Sequence, residues 1–299
     1  MSTLESKHSL YDGSMKIETI HVLGMYRQNE YYLPFLFKRF HEWEAYYHDI
    51  HFIYYFFENN STDKTREMLK QFIKDRPKSK LLLYNLKKDY KNEGDGTNFN
   101  RISTLSKLRN MLIDKITPLP INEWALFIDS NIYFQDDILH SMFSQAKPSE
   151  EGIGMMSAYS QQLFIPKLHS NKLKKPAILS HYYDTYSIID INHKSFFPKC
   201  PFEKCKVCTR PVQNTEVTMN TDRIKKDLAV VEVQSCFGGF VLIKTNALNH
   251  PKVRWSTMCL NLDKDSSTCE HWAFCDRLRN IMDMKVVVLQ HVDAIYRTI

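Results

Sequence analysis

Short apolar segments, each followed by a helix-like stretch, constrain this chain more than any other feature of its sequence. Residues 19–24 (TIHVLG), 51–57 (HFIYYFF), 80–84 (KLLLY) and 124–128 (WALFI) are rich in β-branched and aromatic residues and read as buried strands. Between them, residues 31–47 carry apolar side chains at helical spacing. Ser61, Thr62 and Asp63 suit the cap of a helix running to about Lys74, and a helix over 101–116 is stopped before Pro118. Another helix begins at about Asp136. This alternation predicts an α/β fold, a mostly parallel, Rossmann-like sheet flanked by helices. Residues 85–98 read as a loop, and 160–230, rich in lysine and proline, as a loop-rich insertion. Order returns with strands at 231–234 and 239–244, a helix over 270–280 and a strand at 285–289. The organisation expected is a flexible tail at 1–15 and a single domain at 16–299, whose two halves meet at about 130.

Glycine use narrows the ligand chemistry. Only 8 glycines occur in 299 residues, against about 20 for an average chain of this length. Neither GxxxxGK[ST] nor GxGxxG is present, so P-loop and dinucleotide-binding readings fall away. Phosphate would have to be met by a metal or by basic side chains. The net charge of +6 suits an anionic ligand but is too diffuse to indicate nucleic acid. Residues 1–16 are polar, with no signal-peptide core, and the longest apolar run is 52–57, short of the roughly 20 residues of a membrane helix. The expectation is a soluble, cytoplasmic protein without a transmembrane segment. Among seven cysteines, Cys200, Cys205 and Cys208 have spacing compatible with structural zinc, with His193 nearby, and equally with free thiols or a disulfide.

In open α/β sheets, ligands bind beyond the carboxyl ends of the strands. The polar residues expected there are Tyr26, Arg27 and Asn29; Glu58, Asn59, Asn60 and Asp63; Asp129, Ser130 and Asn131; and His291 after the last strand. Carboxylates, amides, an arginine and a histidine suit a metal-bound nucleotide diphosphate better than a hydride carrier. Asp129-Ser130-Asn131 also suits a turn that caps the next helix. Gly238-Gly239 stands out because glycine is scarce, and fits either close backbone approach to a ligand or a bulge between strands. Glu270 opens a helix, where a carboxylate meets the positive end of the dipole.

Several segments, in order, resemble one family. Residues 58–65 (ENNSTDKT) resemble the (D/E)-N-x-S-x-D-x-T element that glycosyltransferases of the GT-A fold place after their second strand. Residues 101–110 (RISTLSKLRN) resemble the GT-A helix ending in Arg-Asn. Tyr183-Asp184-Thr185-Tyr186 with Asp190, Ser235-Cys236-Phe237-Gly238-Gly239 and Cys269-Glu270-His271 resemble the YDTW…RD, S-C-x-G-G and C-E-H segments of the fungal capsule-associated α-1,3-mannosyltransferases. The similarity runs from about residue 18 to 292. It departs at Asn131 and Ile189, where that family tends to have an acid and an arginine.

The resemblance implies a nucleotide-sugar-dependent hexosyltransferase, with mannose from GDP-mannose the first choice over a UDP-sugar and a glycan hydroxyl as acceptor. It implies donor contacts from Tyr26, Arg27, Glu58, Asn60, Asp63, Arg109, Asp129, Gly238 and Gly239. Mn²⁺ or Mg²⁺ would be held by Asp129, Asn131 and His291, since hard cations take oxygen ligands and imidazole suits Mn²⁺. Glu270 would act as base in an inverting reaction, or bind a sugar in a retaining one, with Asp184 as a second sugar-binding acid. Two rivals are a non-catalytic nucleotide-sugar or glycan-binding relative, suggested by Asn131, and a nucleic-acid-binding protein using the lysines around 164–176 and 194–206.

Overall fold

A computed structural model describes residues 9–12, 15–86, 99–146, 151–164, 177–182, 184, 186–192, 229–260 and 269–297. Strands β3 (Thr19–Tyr26), β4 (His51–Asn59), β5 (Lys80–Tyr84) and β6 (Trp124–Ile128) pair in parallel in the order β5-β4-β3-β6. Helices α1 (Leu33–Tyr46), α2 (Thr65–Lys74) and α3 (Phe99–Ile116) make the crossovers. These elements match those read from the sequence, with ends shifted by a few residues.

The strands are apolar throughout because both faces are covered, and side chains alternate between the faces. Ile20, Val22, Tyr54, Phe56, Leu126 and Ile128 face α1, α2 and α4 (Ile138–Ala146). Leu23, Tyr55, Phe57, Ala125 and Phe127 face α3, α5 (Thr245–Asn249) and α6 (Glu270–Met282). Fully burying one such side chain contributes roughly 1.5–3 kcal/mol.

Beyond β6 the sheet is mixed. β12 (Phe240–Lys244) runs antiparallel to both β6 and β8 (Ile153–Phe164), and β8 runs parallel to β13 (Lys285–Arg297). β11 (Val230–Ser235) and β10 (Ile189–Asp190) complete that edge, β9 (Ala177–Tyr182) adds to β8, and β7 (Ile132–Tyr133) pairs with the end of β13.

Three features differ from the sequence reading. Strand β8 lacks the apolar signature because Ser157, Ser160 and Gln161 are buried in it. Strand β13 continues to Arg297 rather than ending near 289; between Leu289 and Asp293 its register on β8 jumps, leaving residues 290–292 as a bulge. Residues expected in a flexible tail form a hairpin of β1 (Leu10–Asp12) with β2 (Met15–Ile17). Leu10 is buried there, and the Asp12 carboxylate accepts hydrogen bonds from the Trp124 indole at 2.9 Å and from Lys244.

Candidate active site

The strand register brings three distant segments to the end of β6. Phe240 pairs with Ile128, so the next residues meet: the Asp129 N–H donates to the Gly239 carbonyl at 2.9 Å. Gly238 and Gly239 both have positive φ, 67° and 74°, which glycine adopts without strain. Space also requires them. A Cβ on Gly238 would lie 2.6 Å from the Tyr182 hydroxyl and 2.7 Å from Ser160 Oγ, and one on Gly239 would lie 2.9 Å from Asp129 Oδ2. Buried hydroxyls lock this turn: Ser157 donates to the Phe237 carbonyl at 2.9 Å and Ser160 to the Gly238 carbonyl. The Gly238 N–H donates to Asp184 Oδ2 at 3.3 Å, and the Ser187 N–H to Asp184 Oδ1 at 3.2 Å. The glycine pair thus serves both as a strand connection and as the backbone against which Asp129 lies.

Opposite the turn, α3 and α6 supply a buried ion pair between Arg109 and Glu270, whose side chains are 10% and 6% exposed. His271 stacks on Phe237 with ring centres 3.9 Å apart, and the Arg109 guanidinium lies 5.2 Å from the same ring. Burial holds His271 down at about 3, so it is neutral near pH 7. Burial alone would raise the Glu270 carboxyl, but the charges of His271, when protonated, and of Arg109, with the Glu270 N–H, outweigh it and hold it below the usual carboxylate range. With His271 neutral, Arg109 is the permanent counter-charge.

Asp129 behaves differently. Burial pushes it up to about 6; Arg109 and Arg101 oppose the rise, while Asp184 and Glu270 add to it. Asp184 is likewise raised, chiefly by burial. No described residue donates a hydrogen bond to the Asp129 carboxylate. Beneath it, Tyr26 is fully buried and its hydroxyl has no hydrogen-bond partner among the described residues. Burial, then the Asp129 charge, push that phenol well above its usual value. Tyr26 reaches this place by folding back over Gly24, where a Cβ would overlap its ring and hydroxyl.

The expected site residues therefore separate. Tyr26, Arg109, Asp129, Asp184, Gly238, Gly239 and Glu270 form one constellation. The 58–65 element instead ties two loops together. Glu58 is fully buried, accepting from the Ser61 N–H at 2.7 Å and from Arg66 at 2.6 Å. Asn60 pairs with the backbone of Leu86 through both amide atoms, at 2.8 and 3.2 Å. Asp63 accepts from the Glu30 and Thr65 N–H groups at 3.0 and 3.1 Å. The Arg27 N–H donates to the Asn29 side chain at 3.1 Å, shaping the loop that Asp63 holds.

The expected metal triad is not gathered. Asn131 is committed to the last strand, its amide donating to the Arg297 carbonyl at 3.1 Å. His291 is exposed in the β13 bulge, and its N–H reaches Gln145 of α4 at 3.4 Å. Helix α4 packs on the face of the sheet opposite Asp129, which continues the Ala125–Phe127 face. The expectation failed because the strand does not end before His291. Among the described residues no group of three or more His, Cys, Asp or Glu side chains is placed to hold a metal ion. Cys200, Cys205 and Cys208 lie outside the described residues. Sequence reasoning missed Ser157, Ser160, Tyr182 and the stacking role of His271, since nothing in their local sequence signals burial against a turn roughly 30–80 residues away.

A profile of the family described as Cryptococcal mannosyltransferase 1 matches residues 24–275, most of the chain and every member of this constellation. The chain belongs to that family. No curated protein sequence matches it. Among solved structures, GalNAc-T7 with UDP, GalNAc and Mn²⁺ superposes with a TM-score of 0.52 at 10% identity, over 94% of this chain and 44% of that one. The mannosyltransferase PcManGT from Pyrobaculum calidifontis, in complex with GDP-Man and Mn²⁺, gives 0.49 at 10% identity over 96% and 59%. S. aureus TarS 1–349 gives 0.46 at 12% identity over 93% and 60%. The chain thus spans between 44% and 60% of the lengths of these three structures. The fold of this cryptococcal mannosyltransferase 1 family member is of the GT-A type. No helix among its described residues is long and apolar enough to cross a membrane.

Proposed function

We propose that this family member is a nucleotide-sugar-dependent glycosyltransferase that moves mannose from GDP-mannose to a glycan hydroxyl. The observation that carries this reading is the convergence of Asp129, Asp184 and Glu270, with Arg109, on the glycine turn at the carboxyl edge of the sheet. Three carboxylates balanced by a buried arginine suit a polyhydroxylated ligand, and the Asp129 oxygens, which accept from no described residue, suit a cation. The family description supports a mannosyl donor.

The residues present fit a divalent cation in one respect and not in another. Asp129 offers carboxylate oxygens that no described side chain occupies, while Asn131 and His291 are engaged or turned elsewhere. That arrangement matches Mg²⁺-like binding through one or two carboxylates plus substrate phosphates and water. Bound there, a divalent ion would supply charge to stabilise the departing diphosphate. The GalNAc-T7 structure, of the same fold, contains Mn²⁺.

The chain's own groups have distinct tasks. The buried turn at Gly238 and Gly239 holds Asp129 and Asp184 in place, through the Gly239 carbonyl and the Gly238 N–H, where they would face the donor. Asp184, fixed by Ser187 and Gly238, is aimed to accept from sugar hydroxyls. Glu270, held ionised by Arg109, is a weak base, which favours sugar binding over proton abstraction. Catalysis then rests on positioning and on electrostatic stabilisation of the leaving group. A thermal-shift screen of GDP, UDP and their sugars with Mn²⁺ tests the donor, since a ligand that binds only the folded state raises its apparent stability. A shift with GDP and GDP-mannose is expected. A shift with UDP alone removes the mannose reading, and no shift with any of them favours a relative that has lost donor binding.

A further inference from the structure

Within the Cys269-Glu270-His271 element, Glu270 pairs with Arg109 and His271 stacks on Phe237. Cys269 occupies the N-cap of α6, with φ −52° and ψ 134°. Helices favour Ser, Thr, Asp or Asn at that position, because a side-chain oxygen accepts from the first free N–H groups. A thiol sulfur is a weak acceptor, and Cys269 makes no side-chain cap hydrogen bond. It turns to the neighbouring carboxylate instead. The Cys269 thiol donates to Glu270 Oε2, with sulfur and oxygen 3.7 Å apart and both groups buried.

Each oxygen of Glu270 therefore has its own donor. Oε1 accepts from Arg109, with His271 Nε2 3.5 Å away, and Oε2 accepts from Cys269. Asp184 is held in the same way, with the Ser187 N–H on one oxygen and the Gly238 N–H on the other. The thiol keeps its proton, because burial, and then the charges of Glu270 and Asp184, push it well above its usual value. It fixes the carboxylate without adding charge to a cluster of Asp129, Asp184 and Glu270 that Arg109 balances. The last torsion of a glutamate is soft. A donor on one oxygen leaves the carboxylate free to turn, and a second donor on the other fixes its plane.

We propose that Cys269 is a positioning residue of the transfer site, whose thiol holds the Glu270 carboxylate in the orientation that accepts from hydroxyls of the donor sugar. The proposal rests on the glycosyl-transfer reading above. It gives the cysteine of the element a task that its burial alone does not, since any small apolar side chain would fill the same place.

Calorimetric titration of the full chain with GDP-mannose and with GDP, each with Mn²⁺, tests this together with Raman spectroscopy of the thiol. Cys269→Ala should weaken GDP-mannose roughly 2- to 10-fold, the worth of one hydrogen bond, and leave GDP unchanged. Cys269→Ser, which restores a donor, should bind GDP-mannose as wild type does. The S–H stretching band of Cys269, isolated by difference against Cys269→Ala, should rise in frequency when Glu270→Gln weakens the acceptor. No loss in the alanine variant, or equal losses in the alanine and serine variants, overturns the proposal. So do equal losses for GDP-mannose and GDP, which would make Cys269 a packing residue, and a band that Glu270→Gln does not move. If neither nucleotide binds the wild type, the donor reading fails. The Raman band then decides by itself whether the thiol holds Glu270.

Discussion

Replacing Arg109 by methionine isolates the strongest electrostatic element of the site. The guanidinium and the Glu270 carboxylate are 10% and 6% exposed, and His271, stacked on Phe237, is neutral near pH 7. The variant therefore leaves a buried carboxylate without a counter-charge, which costs about 3–5 kcal/mol. At about 2 °C per kcal/mol for a domain of this size, the melting temperature should fall by roughly 6–10 °C near pH 7.5. Combining Arg109→Met with Glu270→Gln should recover most of that loss, because no unpaired charge remains. The pH dependence has a definite sign. Glu270 is held below its usual value in the native protein, so its contribution is complete above the unfolded value and fades as pH falls through the native one. Without Arg109 its proton affinity rises, and the stability gap between the two proteins narrows as pH drops toward 5. Urea unfolding of wild type, both single variants and the double variant, at pH 7.5 and pH 5, measures each quantity. A single variant within about 1 kcal/mol of wild type at pH 7.5, or a double variant no better than Arg109→Met, would refute the buried ion pair.

Other consequences follow from the same geometry. The Asp129 carboxyl is raised to about 6, so its ionised form is disfavoured above that pH and the penalty is absent below its unfolded value near 3.8. Asp129→Asn should therefore raise the melting temperature at pH 8, with the difference fading between pH 6 and 4; a difference constant over that range would sink the assignment. Gly238→Ala should cost more than about 1 kcal/mol in urea unfolding, from its positive φ and the crowding by Tyr182 and Ser160; a neutral effect would mean that the turn can relax. Gly24→Ala should expel the Tyr26 ring from its buried place, lowering stability by several kcal/mol, on the order of a core overpacking or more; Gly24→Ala combined with Tyr26→Ala should be less destabilised than additivity requires.

Much of the fold was legible because the parallel half of the sheet is buried on both faces. That forces residues such as Tyr54, Tyr55, Phe56 and Phe57 into one unbroken apolar run, which no surface strand would show. β8 was hidden for the converse reason. Its buried Ser157 and Ser160 hold the carbonyls of the glycine turn, and a buried serine is indistinguishable from a surface one until its partner is known. The site was legible in part. Asp129, Asp184, Gly238, Gly239 and Glu270 were recognisable as motif residues, yet their meeting depends on the β6–β12 register and on α3 crossing α6. Glu58, Asn60 and Asp63 show the limit of motif reading: their side chains are taken up by Arg66, Leu86 and Glu30, so they shape the loops that flank the carboxylate site. His291 failed because strand length was judged from hydrophobicity, while β13 continues through a bulge after changing its register.

The central claim is that Asp129, on the glycine turn, supports the transfer of a sugar from a nucleotide donor. Release of GDP from GDP-mannose by the full chain, with Mn²⁺ and a manno-oligosaccharide present, measures it directly. Wild type should release GDP, and Asp129→Ala, still folded by its melting curve, should do so roughly 100- to 1,000-fold more slowly. Equal release by the two proteins, or none from GDP-mannose by wild type, would contradict the account.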